Sequence, residues 1–178
     1  FGQEIKLENR ATRLQDVLWC QCKPCFLNGE WQFVADWTKI LSCSATGTKY
    51  WSDKTARYDM GFSVGQCYLA LYAGTPIIQS FCNRLCAKGK INRDIMEADI
   101  MFKVRAERLT GSLGNIKTLP VTTANRIAFQ DTFGVSVAEQ LAIEKRLQDW
   151  SIGDGLKKVD QELWPNWTWF YQNPPALV

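Results

Sequence analysis

The spacing that comes nearest to a metal site is Cys20-x-Cys22-x2-Cys25, with Cys43 or Cys82 available as a fourth ligand. Structural zinc sites are built from two Cys-x2-Cys-like pairs on tight turns. Only Cys22 and Cys25 have that spacing here, and Pro24 stands between them. The competing reading takes Cys82 and Cys86 as small hydrophobes on a helical stripe. The seven cysteines, an odd number, are then thiols of a reduced, intracellular protein. The chain has no histidine, which excludes Ser-His and Cys-His nucleophiles and imidazole-bound zinc. Chemistry of its own would have to come from Lys, Asp, Glu, Cys or Tyr. Two-cation phosphoryl chemistry needs paired carboxylates about 4 Å apart, and no Asp-Asp or Asp-x-Asp pair stands at a strand end. Gly153-Asp154-Gly155 reads as a turn. No glycine-rich loop followed by lysine is present, which argues against a nucleotide-hydrolysing P-loop enzyme. No metal ligands are assigned to this chain.

Positive charge is unevenly spread. Residues 84–117 hold eight basic side chains, including Arg84, Lys88 and Arg93, against four acids. Such an excess marks either a phosphate-facing surface or a solvated helix face with i,i+4 pairs. The net charge of +3 adds little to that choice.

The elements that would position these groups fit one domain of 178 residues, 46% apolar and 22% charged. No apolar run approaches the roughly 20 residues of a membrane span. The polar opening Phe1–Arg10 is not a signal peptide, and the abrupt start on Phe1-Gly2 suggests a piece of something longer. Asn166-Trp167-Thr168 spells a glycosylation acceptor that has meaning only in a secreted chain.

Residues 1–42 read as strands. Leu14–Cys22 is a compact apolar run broken by Pro24, Asn28-Gly29 is a strong hairpin signal, and Trp31, Phe33 and Val34 form the return strand, ended by Asp36-Trp37. Phe62–Ala73 is apolar nearly all round, so it reads as a buried helix. Gly74 suits the position after that helix, Thr75 an N-cap and Pro76 a first helical turn. Ile77, Ile78, Phe81, Cys82, Leu85 and Cys86 form a single stripe ended by Gly89, predicting an antiparallel helix pair. A charged helix is expected over 93–109 and a loop over 110–121. Thr122 or Thr123 caps a helix to Phe133-Gly134. Ser136 and Glu139 form a capping box opening a helix to about Trp150. Ser151–Gly155 is a turn, and the tail from Leu163 to Pro175 lies extended, anchored by its aromatics. The fold class is α+β: a small antiparallel β-ribbon followed by a helical bundle.

The order of the segments adds a resemblance. Phe1-Gly2-Gln3-Glu4-Ile5-Lys6-Leu7-Glu8 precedes Val17-Leu18-Trp19-Cys20-Gln21-Cys22-Lys23-Pro24. An Asn-Gly hairpin with a Trp-containing return strand follows, then Thr38-Lys39-Ile40-Leu41-Ser42. This resembles the C-terminal part of a viral RNA-dependent RNA polymerase of the tombusvirus/carmovirus and nodavirus-like group. In that family an aromatic-Gly turn and a Lys-apolar-Glu segment close the palm (motif D), an aromatic-Cys-Gln turn forms the primer grip (motif E), and a strand to a Leu-Ser ending enters the thumb. Ser63-Val64-Gly65-Gln66-Cys67 through Gly74-Thr75-Pro76-Ile77 looks like the family's helix–Gly-x-Pro–helix, and Thr122 to Ser136 like the last thumb helices. The resemblance runs in order over residues 1–150; residues 90–117 and the tail match nothing in it.

The resemblance implies a right-hand polymerase divided into 1–42, the end of the palm; 43–150, a helical thumb; and 151–178, a C-terminal extension. It implies template-directed RNA synthesis with Mg2+ in the intact enzyme, in a viral replication complex in the host cytoplasm. Motifs A to C, which hold the cation, would lie upstream of Phe1. Lys6 takes the slot of a general acid for the departing pyrophosphate, with Arg10 as the alternative; Lys6 as a plain surface charge stays open. Cys20, Gln21, Cys22 and Lys23 would grip the sugar-phosphate of the growing strand. Lys39, Arg84, Lys88 and Arg93 would follow the template-product duplex. Trp19, Trp31 and Trp37 are expected in the core where ribbon meets helices, with base stacking as the alternative. Without the rest of the palm the ribbon edge is unpaired, which predicts association with the remaining palm/fingers polypeptide or self-association. The competing functions are a helical protein-binding adaptor without enzymatic activity and a structural zinc module.

Overall fold

The computed structural model describes residues 10–44, 53–92 and 116–152. These residues form an α+β fold with a two-stranded antiparallel ribbon and five α-helices. The ribbon pairs β1 (Cys22–Leu27) with β2 (Glu30–Ala35). Asn28-Gly29 closes it as expected, with φ of 55° and 88° at the two central positions. That is the geometry of a primed hairpin turn, which glycine adopts without steric cost. Side chains alternate across the ribbon. Cys25, Leu27 and Val34 face inward and are buried, while Phe26, Trp31 and Phe33 face outward and are exposed.

Four local expectations are corrected. Leu14–Cys22 is not a strand: Leu14–Asp16 is a short 3-10 turn, and β1 begins only at Cys22. Leu14, Leu18 and Trp19 are apolar but exposed, so no burial holds that run extended. Pro24 does not break the strand; it sits inside β1 opposite Phe33. In a two-stranded ribbon both strands are edges, where a missing N–H is tolerated. Thr38–Ser42 is helical, within α1 (Trp37–Ser44). Trp37, Ile40, Leu41 and Ser44 are its buried residues, a 3.6-residue period rather than alternation. The Asp36 carboxylate starts this helix by accepting from the Thr38 amide at 2.9 Å and the Thr38 hydroxyl at 2.7 Å.

The fourth correction lies between the next two helices. α2 (Lys54–Tyr72) contains the expected buried segment, and Asp53 caps it by accepting from the Ala56 amide at 2.8 Å. α3 begins at Ile78 and runs to Cys86, later than Thr75 and Pro76 suggested. Ile77 has φ 63° and ψ −55°, and the Ile78 amide donates to the Pro76 carbonyl at 2.6 Å. This is a γ-turn, strained for a β-branched residue. Glu144 stabilises it by accepting from the Ile77 amide at 2.9 Å, and Arg126 grips the same carboxylate at 3.1 and 2.7 Å. The Thr75 hydroxyl, expected to cap, is buried with no hydrogen-bond partner among the described residues.

α2 and α3 run antiparallel as expected: Gly61 lies against Leu85, and Gly65 against Cys82 and Cys86. The approach at Gly65 is close enough that a Cβ would stand 2.6 Å from the Cys86 sulfur and 2.8 Å from the Cys82 carbonyl oxygen. The stripe Ile77, Ile78, Phe81, Cys82 and Leu85 is buried. α4 (Thr123–Phe133) starts on Thr122, whose hydroxyl accepts from the Asn125 amide at 3.1 Å, and ends at Gly134. α5 (Val137–Asp149) opens with the complete Ser136–Glu139 capping box. These caps match the expectations from sequence. The core gathers Leu27, Leu41, Ile78, Phe81, Leu85 and Phe129 between ribbon and helices. The helix expected over 93–109, residues 110–115 of the expected loop, and the tail from Leu163 lie outside the described residues.

Candidate nucleic-acid interface

The ribbon has a second turn. Trp19 and Cys22 exchange both backbone hydrogen bonds, at 2.9 and 2.8 Å, and close a two-residue turn over Cys20 and Gln21. Both turn residues have positive φ, 49° and 65°. Asn and Gly suit that conformation; Cys and Gln are held in it at a cost of order 1–2 kcal/mol each. Cys20 and Gln21 are exposed on a turn closed at its base by the Trp19–Cys22 pair. The Gln21 carbonyl accepts from the Asp36 amide at 3.2 Å, which ties the turn to the start of α1.

Beside the turn lies a cleft of about 390 Å³. Its polar wall carries Gln21, Lys23 and Lys39, with Asp36 and Thr38 at the start of α1. Its apolar wall comes from Leu18, Trp37 and the α4–α5 corner, Phe133 and Val135. Lys39 Nζ donates to Gln21 Oε1 at 2.7 Å, and Lys23 Nζ to the Thr132 carbonyl at 3.4 Å. The Asp36 carboxylate oxygen Oδ1 is taken up by Thr38. The cleft therefore presents two ammonium groups and an amide beside the Asp36 carboxylate, so positive charge is in excess by one. Such a set suits an anionic, acceptor-rich ligand without reading bases.

Sequence reasoning had singled out Gln21, Lys23 and Lys39, and the fold brings these three together, with Cys20 and Cys22 in the adjoining turn. Arg10 is exposed and does not line the cleft. Arg84 and Lys88 lie on or just beyond α3 and hold the end of the described chain: Arg84 Nε donates to the Trp150 carbonyl at 2.9 Å and Lys88 Nζ to the Ser151 hydroxyl at 3.2 Å. Lys6 and Arg93 lie outside the described residues. Phe133 and Val135 were missed because their approach depends on how α4 packs on β1. Asp36 carried a usable signal, the Asp-x-Thr pattern of a helix start.

Of the three tryptophans expected in the core, only Trp37 is there, at 8% exposure. Trp19 is 67% and Trp31 48% exposed. Trp31 sits opposite Phe26 on the outward ribbon face, ring centroids 5.5 Å apart, and Trp19 precedes the turn.

Among the described residues no three His, Cys, Asp or Glu side chains converge as a metal site requires. The described residues likewise do not fit the two-cation centre that the resemblance implies for an intact enzyme. Burial pushes the Cys25 and Cys82 thiols up from their usual range, Cys82 most, and Cys86 is raised in the same way. These are inert core groups rather than nucleophiles.

Comparison with known proteins agrees with the resemblance. The family model described as viral RNA dependent RNA polymerase matches residues 1–154. The chain is 27% identical over 152 residues to the RNA-directed RNA polymerase of Tomato bushy stunt virus (strain Cherry), covering 85% of this chain and 18% of that protein. It is 26% identical over 162 residues to the putative RNA-directed RNA polymerase of Barley yellow dwarf virus (isolate MAV), covering 89% and 18%. To the RNA-directed RNA polymerase of Carnation mottle virus it is 24% identical over 163 residues, covering 88% and 20%. The chain thus spans about a fifth of the length of these relatives. No solved structure matches it. Among the described residues no helix is long and apolar enough to cross a membrane. With a match across residues 1–154 of 178, the chain belongs to the viral RNA-dependent RNA polymerase family.

Proposed function

We propose that this chain is the C-terminal part of an RNA-dependent RNA polymerase and that its Cys20–Lys23 turn grips the nascent RNA strand during viral replication. The observation that carries the reading is the exposed turn over Cys20 and Gln21, flanked by the cleft of Gln21, Lys23 and Lys39. A growing strand must be held by its sugar-phosphate regardless of sequence, and then released stepwise. Donors on a rigid turn and a lysine or two supply such sequence-independent, salt-sensitive contact. The ribbon is then the end of the palm, and α2 to α5 form the thumb against which the template-product duplex rests.

Catalysis belongs to the whole polymerase. Mg2+ and the carboxylates that hold it are assigned to the remaining palm/fingers polypeptide, and Lys6, with Arg10 as the alternative, to protonation of the leaving pyrophosphate. That polypeptide also covers the outward face of Phe26, Trp31 and Phe33, which is apolar and exposed here. Arg84, Lys88 and Arg93 are left to peripheral backbone contact. The setting is a viral replication complex in the host cytoplasm.

Lys23→Met in the full-length polymerase tests the grip. The affinity for a primer–template RNA should fall, and the slope of log affinity against log salt should shrink by about one. Unchanged affinity and slope would refute it.

A further inference from the structure

We infer that Lys39 is a positioning residue that fixes the Gln21 carboxamide so that its Nε2 donors meet the RNA phosphates. The inference rests on the grip reading and adds a division of labour to it. A phosphodiester oxygen only accepts hydrogen bonds. A glutamine free to rotate shows it the repelling Oε1 as readily as the donating Nε2. Lys39 Nζ donates to Gln21 Oε1 at 2.7 Å, which occupies the acceptor end and leaves the two N–H groups on Nε2 for the cleft. Lys39 is itself well placed to do this. It stands on the first turn of α1, whose start is fixed by the Asp36–Thr38 hydrogen bonds and whose Trp37, Ile40 and Leu41 are buried. Gln21 is thus held twice from one short segment, its carbonyl by the Asp36 amide at 3.2 Å and its side chain by Lys39. Lys23, whose ammonium donates to the Thr132 carbonyl at 3.4 Å, remains to neutralise phosphate charge.

The presence of Gln at this turn position fits the same account. Glycine would relieve the positive φ of 65° but would leave Lys39 nothing to orient.

The test is a double-mutant cycle in the full-length polymerase, read as affinity for a primer–template RNA and as its salt slope. Gln21→Leu and Lys39→Met should each weaken binding about fivefold, the worth of one hydrogen bond. The double variant should be no weaker than either single. Lys39→Arg, which still donates to Oε1, should restore binding, and Lys39→Met should leave the salt slope unchanged. Gln21→Glu keeps the partner of Lys39, and with it the local fold, but offers the phosphate only acceptors; it should bind at least as weakly as Gln21→Leu. Losses that multiply to about 25-fold, or a salt slope reduced by about one in Lys39→Met, would show Lys39 contacting RNA itself and overturn the inference while the grip stands. A silent Lys39→Met beside a costly Gln21→Leu would do the same. Wild-type binding by Gln21→Leu and Gln21→Glu would overturn both inference and grip.

Discussion

The ribbon has two tight turns of the same kind, and they are built in opposite ways. Asn28-Gly29 uses the residue pair best suited to positive φ and is locked into the body of the molecule. The Asn28 amide donates to Asn125 Oδ1 at 3.1 Å, Asn125 Nδ2 to Asn28 Oδ1 at 2.9 Å and to the Gly74 carbonyl at 3.0 Å, and Asn28 Nδ2 to the Ala73 carbonyl at 3.1 Å. Cys20-Gln21 uses a poorly suited pair, stands exposed, and is held at its base by Trp19–Cys22 and from α1 by Asp36 and Lys39. One turn satisfies the conformational preferences of the chain and serves the fold. The other carries strain, and strained exposed turns collect where function requires particular side chains.

The comparison breaks most visibly if the Asn28-Gly29 turn is unlocked. Asn125→Ala would strand the Asn28 amide and the Gly74 carbonyl, and should lower stability by about 3 kcal/mol, measured by denaturant unfolding. A loss below about 1 kcal/mol would mean that the lock is not what fixes this end of the ribbon.

Next comes alkaline pH. Burial raises the folded-state values of Cys25 and Cys82 above the ordinary 9.0. Below that value both states keep the protons and the thiols do not alter stability with pH. Above it the unfolded chain ionises first, so stability falls as pH rises, by up to about 1.4 kcal/mol per pH unit for each thiol. Cys25→Ala should make that decline shallower at the ribbon, and an unchanged decline would contradict the assignment.

Replacing Cys20 and Gln21 together by Asn and Gly sharpens the contrast from the other side. The ideal pair should stabilise the protein by about 1 kcal/mol in a thermal melt while weakening RNA binding in the full-length polymerase. Stability gained without loss of affinity would deny the turn its role. The smallest effect is expected at Glu139. Hydrogen bonds from the Ser136 hydroxyl and amide hold its carboxyl below the usual glutamate range. Its contribution is present above the unfolded value and is lost as pH falls through the folded one. Glu139→Gln keeps the capping box and should remove a small acid dependence of the unfolding midpoint.

The same two turns show what could be read from the amino-acid order. Asn28-Gly29, the Thr122 cap and the Ser136–Glu139 box are complete within four residues, and all stand as expected. β1 and α1 were misread because their identity is set by burial: Pro24 is admitted by an edge, and Trp37, Ile40 and Leu41 by the core behind the ribbon. Trp19 and Trp31 are expected in the core where ribbon meets helices, yet the ribbon's alternation and the position before the turn put them outside. The aromatic-Cys-Gln segment was recognised by resemblance. Its pairing with Lys39, 18 residues away, is a product of the fold and has no local signal.

Hydrogen–deuterium exchange on the full-length polymerase, with and without a primer–template RNA, measures the two turns in one experiment. RNA should slow exchange across Cys20–Lys23 and leave Asn28-Gly29 as it was. Equal protection of both turns, or none at Cys20–Lys23, would contradict the account.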